Sequence, residues 1–548
     1  MRNKLLISAL ILALAACGKD AAEPAPTPVP VPEISRAALE AHLRFLASDT
    51  LEGRMTGTRG YEVAAAYVES QFRQLGLRGM DGDEYLQGVP YARAQLLPRG
   101  ATASVIGPQG ERELAFRSEF VASADPVRES VSVSAPAVFL GYGVHAPELG
   151  HDDYAGLDLK GKIVVAFSGA PPSFGANERA YFSTGQSKRA AAVRHGAIGW
   201  VSLRAAHQVE RYPWDSWAQN AGVHPTMAWL RADGSAADFD PQLQGGFSIS
   251  ESMAPLLFEG AEQDYKELAK LQADGQALPR FALPVRISSS TRSEISRISS
   301  PNVIGMLPGS DPKLAAQWVV YTAHLDHIGI AAAVDGDEIY NGAYDNAMGV
   351  ALMIEAARAL VAAQPRRSVM FVAVGGEERG LLGSDYFAQH PPVPAEQMVA
   401  NVNLDMPLFL YPLADVIAFG SEHSTLEQTV RTAVAAVGLE LAADPLPEEV
   451  LFIRSDQYSL VKQGVPAIFL VPGFSSSDPD IEGGKLFGEF LNTHYHKPSD
   501  DLSRPVHWPS ALKFARANVQ TGLQAANAEQ APSWNEGNFF GERFAAGR

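Results

Sequence analysis

Acidic and histidine side chains recur in the C-terminal half of the chain, in short segments flanked by apolar residues. They are His324 in YTAHLD, Asp345 in GAYDN, Glu377 and Glu378 in VGGEERG, Asp405 in NLDM and His496 in THYHKPSDD. Imidazole and carboxylate groups are the ligands that borderline-soft divalent ions bind in proteins. Two such ions that share one bridging carboxylate need two histidines and three carboxylates as ligands, and this group of residues can supply them. The residues therefore predict a two-metal hydrolase site.

The elements that must position these side chains are strands and helices in alternation. Short apolar runs predict strands at NVIGMLPG, WVVYTAHLD, SVMFVAVGGEE, MVANVNLDM, DVIAFG and PAIFLVPG, and helical patterns separate them, as at 350–362 and 426–437. The predicted fold class is α/β, a mixed central sheet flanked by helices. In such folds functional groups collect beyond the carboxyl ends of strands, which is where His324, Glu377 and Asp405 stand.

Local geometry gives two of these segments further meaning. His324 and Asp326 are two residues apart in a predicted strand, so both side chains leave one face. Asp326 can then accept the ring N–H of His324 and fix its tautomer. Adjacent Glu377 and Glu378 point in different directions, so one can bind metal while the other faces the substrate. A single histidine or aspartate at a strand end is more often a cap, but these occur together.

The N-terminal half has a different texture. Amphipathic helices are predicted at 36–48 and 61–75, and the loop between them carries Arg54 and Arg59, predicted to be solvated or to brace the fold. From 135 to 251 the pattern changes to β-branched and aromatic runs with one helix and no acidic-histidine cluster. This stretch resembles the protease-associated domain in its FLGYGV, DLKGKIVV and KRAAAVRHGAIG segments. It predicts a mainly-β domain inserted into the other.

Composition sets limits on partners and size. The chain has 548 residues, 46% of them hydrophobic, and a formal net charge of -18 from 62 acidic and 44 basic residues. That length predicts two or three globular domains. Because no run of lysine or arginine could follow a phosphate backbone, nucleic acid is not expected as a partner.

The first residues predict export. Arg2 and Lys4 precede an apolar run at 5–14, too short to span a bilayer and typical of a signal peptide, here residues 1–16. The run ends in LAAC, which resembles the lipobox of bacterial lipoproteins and would make Cys17 the lipidated N-terminus. Residues 17–35 then form a proline-rich spacer. With Gly18 rather than aspartate after the cysteine, an outer-membrane lipoprotein facing the periplasm is predicted; an ordinary signal peptide and secretion is the alternative.

Taken in order, the motifs resemble a known family. HxD, a turn containing DN, EE followed by GLxGS, NLDM, and a histidine after tyrosine with KPSDD behind it are similar in order and spacing to family twenty-eight of the metallopeptidases. This family of di-zinc exopeptidases includes secreted bacterial leucyl aminopeptidases and, more distantly, glutamate carboxypeptidase. The resemblance implies a zinc peptidase domain formed by residues 36–134 and 252–535, interrupted by the protease-associated domain at 135–251.

The resemblance also implies a role for each residue. Asp345 would bridge two zinc ions; the remaining ligands would be His324 and Asp405 at one ion and Glu378 and His496 at the other. Glu377 would be the general base, and the bond between Asp345 and Asn346 would be cis.

Two further positions match groups that hold substrate or intermediate in some relatives. These are Tyr495 and Arg454, for which simpler interpretations are packing against His496 and pairing with Asp456.

The implied activity is removal of N-terminal residues from peptides. Dipeptidase or carboxypeptidase activity in the same family, one-zinc cyclisation of N-terminal glutamine, and a binding protein without catalysis are the alternatives. A broken ligand set would favour the binding protein, and none of the matching positions is broken. Ligand type alone admits zinc, cobalt or manganese. The sequence predicts no oligomeric state.

Overall fold

The computed structural model describes residues 33–546, so the predicted signal peptide, Cys17 and most of the proline-rich spacer lie outside the described residues. The strands are β1 Leu86–Gly107, β2 Gly110–Leu114, β3 Phe120–Val121, β4 Ser130–Phe139, β5 His145–Ala146, β6 His151–Asp152, β7 Ile163–Phe167, β8 Gly199–Leu203, β9 Thr226–Trp229, β10 Gly246–Ile249, β11 Phe281–Leu307, β12 Trp318–His324, β13 Gly329–Val334, β14 Asp337–Tyr340, β15 Ser368–Val374, β16 Met398–Leu404, β17 Asp415–Phe419, β18 Glu440–Ala442 and β19 Ala467–Pro472. The helices are α1 Arg36–Leu46, α2 Arg59–Gln74, α3 Ala176–Ser183, α4 Gly185–Arg194, α5 Ala206–Arg211, α6 Trp214–Ala218, α7 Tyr265–Ala273, α8 Met348–Ala363, α9 Leu382–Gln389, α10 Leu426–Ala435, α11 Gln457–Val461, α12 Gly483–Thr493, α13 Trp508–Asn527 and α14 Phe539–Phe544.

Within residues 33–546, fifteen strands form one mixed sheet. In its C-terminal part the strand order is β18-β17-β19-β16-β12-β15-β11, and β15, β12, β16 and β19 run parallel to one another. Because these four strands are parallel, their carboxyl ends lie at the same edge of the sheet. The predicted α/β fold class is confirmed.

Alternation within the central strands divides the core between the two faces of the sheet. In β12, Val319 and Tyr321 pack with α1, α2, α8 and α13, whereas Val320 packs on the opposite face with Phe387 of α9 and Leu460 of α11. Every residue of β12 and β15 is buried. Helices on both faces explain why these strands are continuous apolar runs in the sequence.

The predicted helices form close to their expected positions. The helix predicted at 36–48 is α1, which begins after the N-cap Ser35 and buries Leu39, Leu43 and Leu46. The helix predicted at 61–75 is α2, which begins two residues earlier, at Arg59. The stretch Ala343–Ala363 is long and apolar enough to cross a membrane, but 78% of its most apolar 18-residue window is buried inside the protein, as expected of a core helix.

Two long antiparallel strands connect this part of the sheet to a second core. Strands β1 and β11 pair along most of their lengths, and β11 pairs with β15 near its end and with β4 near its start. Beyond β4 the order continues as β7-β8-β10-β3. We call residues 101–291 the inserted module and the other described residues the main module.

The inserted module includes residues on both sides of the range 135–251, whose bounds as a separate domain stay a prediction. Its core includes Ala103, Val105 and Leu114 before that range and Leu257 and Phe281 after it. The added residues belong because β1 and β2 extend the same sheet and α7 covers it. The assignment of this module as a protease-associated domain stays a prediction.

Candidate metal centre

The first half of the site forms where two parallel strands end. His324 is the last residue of β12, and Asp405 directly follows β16. The Nε2 atom of His324 lies 3.1 Å from Oδ1 of Asp405 and 3.2 Å from Oδ1 of Asp345. Ser455 donates to the other oxygen of Asp405 at 2.7 Å, which fixes the orientation of that carboxylate. The structure thus brings together three donors that the sequence predicted.

Asp345 stands on a turn before α8 that is held from both sides. Asp500, in the KPSDD segment, accepts hydrogen bonds from the backbone N–H groups of Tyr344 and Asp345 at 2.9 and 3.0 Å. The Asn346 amide donates to the carbonyl of Leu404 at 2.8 Å and so ties the turn to the end of β16. The peptide bond between Asp345 and Asn346 is cis, as the family resemblance implied.

The second half of the site lies on the other oxygen of Asp345. Nε2 of His496 is 3.2 Å from Oδ2 of Asp345 and 3.1 Å from Oε2 of Glu378. Asp345 therefore contacts one histidine with each of its oxygens. That is the geometry expected of a carboxylate that bridges two cations.

The structure adds a residue that the sequence analysis missed. His327 is fully buried, with Nδ1 2.8 Å from Oε1 of Glu378 and 3.8 Å from Oδ2 of Asp345. It follows the HxD motif directly, in HLDHIG, so a second histidine three residues after His324 was the available signal.

Donors of this cluster fit a metal ion by their chemistry and their lack of other partners. His324, Asp345 and Asp405 form one group whose ligand atoms lie within 4.8 Å of one another, and His327, Asp345 and Glu378 form another. Although His327 and Glu378 are close, their geometry gives no hydrogen bond, so Oε1 of Glu378 and both ring nitrogens of His327 are buried without one. Buried polar atoms without partners are rare unless something binds them.

Charges within the cluster shift its pKa values strongly. Burial lowers the pKa of His324, but the negative charges of Asp405 and Asp345 outweigh burial and hold it well above its usual range. The same competition, with Glu378 and Asp345, raises the pKa of His496. Burial raises the pKa of Glu378, yet His496 and His327 lower it well below its usual range. The carboxylates of the cluster therefore stabilise positive charge placed between them, whether on a histidine or on a metal ion.

Glu377 differs from its neighbour in this respect. Burial, followed by the charges of Asp405 and Glu378 and opposed by His324, raises the pKa of Glu377 well above its ordinary value. A short 3₁₀ turn, Glu377–Arg379, carries both glutamates directly beyond β15. As predicted, the two side chains have different environments, and the one with the raised pKa can hold a proton.

Asp326 supports the site differently from the prediction. The atom nearest to Nδ1 of His324 is the main-chain oxygen of Asp326, at 3.1 Å, while the Asp326 carboxylate is 3.9 Å away. That carboxylate instead accepts from the backbone N–H of Glu377 at 3.2 Å. The prediction assumed that the strand continues past His324, but β12 ends there and the alternation of side chains ends with it.

Two positions that the resemblance implied are placed as follows. The Tyr495 ring stacks on His496 with centroids 3.8 Å apart, and burial and the neighbouring carboxylates raise its pKa well above its usual range. Arg454 is 47% exposed and pairs with Glu449 at 3.3 Å, and not with Asp456 as the simpler interpretation had it. A role for either residue toward substrate stays a prediction.

Arg54 braces the site from behind. Its buried guanidinium donates to the carbonyls of Leu325 at 2.9 Å, Asn341 at 2.6 Å and Gly342 at 3.1 Å, and also to Leu46. Burial lowers its pKa to about 10, and the nearby acidic groups, Asp500 first among them, oppose that shift. The sequence left open whether Arg54 is exposed to solvent or braces the fold, and its buried hydrogen bonds show that it braces the fold.

Comparison with known proteins identifies the family. Residues 302–521 match the model of Peptidase family M28, and these residues contain every predicted metal ligand. For this part of the chain, the family resemblance predicted from the sequence is confirmed.

Similar proteins agree with that assignment. A probable zinc metalloprotease of Pyrenophora teres f. teres is 37% identical over 112 residues, which are 20% of this chain and 22% of that protein. Aminopeptidase YwaD of Bacillus subtilis is 32% identical over 109 residues, again 20% of this chain and 22% of that protein. The matches thus span about a fifth of the length of these curated relatives.

Among solved structures, the aminopeptidase from Aneurinibacillus sp. strain AM-1 has the same fold. It superposes with a TM-score of 0.53 at 19% identity and covers 91% of this chain and 96% of its own.

Proposed function

We propose that the protein is a zinc-dependent exopeptidase with two metal ions that removes N-terminal residues from peptides. The observation that carries this proposal is the position of Asp345, whose two oxygens lie 3.2 Å from His324 and 3.2 Å from His496. The match to a peptidase family and similarity to an aminopeptidase support the reaction class.

The donor set fits two zinc ions that share Asp345. His324 and Asp405 would complete one site, and Glu378 and His496 the other, with His327 as a neighbouring donor. When bound, the ions would supply positive charge that polarises the scissile carbonyl and makes water a stronger acid.

Glu377 has the environment of a general base in this reaction. It borders the cluster but belongs to neither group of ligand atoms, so its carboxylate is free to take a proton from water and pass that proton to the leaving amine. Asp326 positions Glu377 by accepting the hydrogen bond from its backbone N–H. A substrate's free α-amine would be attracted by the dense carboxylates of the same site.

A panel of peptides tests the proposal against its alternatives. Zinc-loaded protein should hydrolyse peptides with a free N-terminus, including C-blocked ones, and should leave N-blocked peptides intact. Hydrolysis of N-blocked peptides at the C-terminus would favour a carboxypeptidase, and hydrolysis of dipeptides alone would favour a dipeptidase. Cyclisation of N-terminal glutamine without hydrolysis would favour a glutaminyl cyclase. The absence of any turnover would favour a binding protein without catalysis.

We also propose that Cys17 anchors the protein to the outer membrane, on the basis of the LAAC segment. Replacing Cys17 with serine should move the protein out of the membrane fraction. Unchanged fractionation would contradict the anchor and favour an ordinary signal peptide.

A further inference from the structure

A large cavity lies between the inserted module and the metal centre. Its volume is about 1000 Å³, at the upper end of the range of roughly 300–1,000 Å³ for pockets that bind small molecules. The inserted module supplies aromatic and apolar walls, including Trp200, Phe239 and Phe247. The opposite wall is formed by Arg379, Gly380 and Leu382, which follow the metal ligand Glu378 directly. The cavity therefore reaches the edge of the site described above.

Arg379 is a cation at this edge that makes no direct ion pair with another described residue, although the charges of Glu378 and Asp326 act on it from further away. Within residues 33–546 its guanidinium forms no ion pair, and its Nε atom is buried without a hydrogen bond. Among the described residues its side chain makes one hydrogen bond, from Nη2 to the Sδ atom of Met55 at 3.7 Å. A guanidinium has five donors in a planar fork that matches a carboxylate. Leaving such a group largely desolvated and unpaired is costly unless a ligand completes it.

His224 reaches the same place from the inserted module. It lines the cavity just before β9. Burial and the charge of Arg379 lower its pKa to about 4, while Glu378 acts in the opposite direction. His224 is therefore neutral at pH 7, can donate one hydrogen bond, and stands near both Arg379 and the metal ligands.

We propose that this cavity binds the part of a short peptide substrate that lies C-terminal to the scissile bond, and that Arg379 pairs with the terminal carboxylate. This inference rests on the proposed function and names its substrate class, di- and tripeptides with a free C-terminus. The aromatic walls fit bulky side chains after the scissile bond. The position of Arg379, one residue after Glu378, limits the substrate's length because the carboxylate must end beside the metal centre.

Matched peptides that differ only at the C-terminus test the assignment without any mutation. Leucylphenylalanine and leucylglycylphenylalanine should each have a KM at least tenfold lower than the corresponding C-terminal amide, and the advantage should disappear in peptides of six residues. Equal KM values for acid and amide would overturn the assignment. Hydrolysis of leucyl p-nitroanilide by the same preparation reports on the proposed function separately, because that substrate has no C-terminal carboxylate.

Variants locate the effect at Arg379. Arg379→Gln should abolish the difference in KM between acid and amide, and Arg379→Lys should restore part of it. Arg431→Gln is the matched control, because Arg431 is an exposed residue of α10 paired with Glu427 and does not line the cavity. Metal content and melting temperature establish that each variant is folded. If Arg379→Gln keeps the wild-type ratio of the two KM values, Arg379 does not bind the carboxylate.

A cavity-filling variant tests the other half of the proposal. Ser248 on β10 lines the cavity and is half-buried, so Ser248→Phe should narrow it. KM should rise at least fivefold for leucylphenylalanine and less for leucylglycine. An equal change for both dipeptides, or none for either, would place the substrate outside this cavity.

Discussion

The main module and the inserted module share two long strands, but they differ in how their buried charged side chains are arranged. In the main module, four buried or half-buried carboxylates and three histidines, Asp345, Glu377, Glu378, Asp405, His324, His327 and His496, crowd around the carboxyl ends of three strands. In the inserted module the buried charges are dispersed, and Lys188 donates one hydrogen bond, to the carbonyl of Phe167 at 3.0 Å.

The difference shows what stabilises a buried charge. Burying several carboxylates together is unfavourable unless cations neutralise them, and bound metal ions reverse the local electrostatics. In the main module, bound metal ions would therefore neutralise the acidic cluster and stabilise the folded state. Lys188 has no such ligand, and burial lowers its pKa to about 7 although the charge of Asp153 opposes that shift. The predictions below test this contrast from both sides.

The largest expected effect is on catalysis at Glu377. Glu377→Gln keeps the size of the side chain and removes the base, so kcat should fall by ~10² to 10⁴ while metal content stays near normal. Steady-state kinetics and metal analysis on the same preparation measure both. If this variant loses a metal ion instead, the roles of the two adjacent glutamates are exchanged.

Glu378→Gln should act through the metal and not through proton transfer. It replaces a charged ligand by a neutral amide, so one site should lose occupancy and added zinc should restore part of the activity. A titration of activity against free zinc distinguishes this outcome from the zinc-independent loss expected of Glu377→Gln. Full activity in both variants would exclude the metal-dependent mechanism.

His327 should have a smaller effect than His496 on metal binding. We expect His496→Gln to lose one metal ion, because Nε2 of His496 contacts both Asp345 and Glu378. His327→Gln should weaken the same ion by ~10- to 100-fold, as for residues that orient a ligand. Metal affinity by competition with a chelator measures the difference. The reverse order would make His327 the ligand and His496 its support.

The smallest effect concerns Lys188 and stability. Below about pH 7 the lysine is protonated in both states and the folded state bears the cost of burying it. Between about pH 7 and the ordinary lysine pKa, the unfolded state binds more protons than the folded state, so the free energy of unfolding rises with pH. Lys188→Met removes that cost but leaves the Phe167 carbonyl unpaired, so we expect a net gain of ~1–2 kcal/mol at pH 6.

Denaturant unfolding at two pH values checks this expectation. The gain from Lys188→Met should be smaller at pH 9 than at pH 6, because wild-type Lys188 is neutral in the folded protein at the higher pH. A gain that does not change with pH would show that Lys188 is not a buried charge.

The sequence predicted the site better than it predicted the contacts around it. Residue types and their order identified His324, Asp345 and Asp405, because strongly apolar runs reveal the strands themselves and the polar residues that follow them. The partner of His324 was wrong because the exact end of β12 decides the direction of Asp326, and element ends are the least certain feature of a sequence pattern. Arg454 pairs with Glu449 and not with Asp456, because residue types alone do not decide which of two nearby carboxylates an arginine reaches.

The cavity between the inserted module and the main module could not be predicted from local sequence patterns. Arg379 and His224 meet at the cavity although 155 residues separate them along the chain. Their proximity depends on how β1 and β11 join the two cores, and no motif records that arrangement. No motif marks where the inserted module begins and ends either, because its outer strands belong to the same sheet as the main module.

The central claim is that Asp345 is shared by two metal ions. Metal analysis of zinc-loaded protein after removal of free metal should give two equivalents per chain, and Asp345→Asn should give fewer than one, because both ions lose the same ligand. Wild-type protein that binds a single equivalent at saturation, or Asp345→Asn protein that still binds two, would contradict the account.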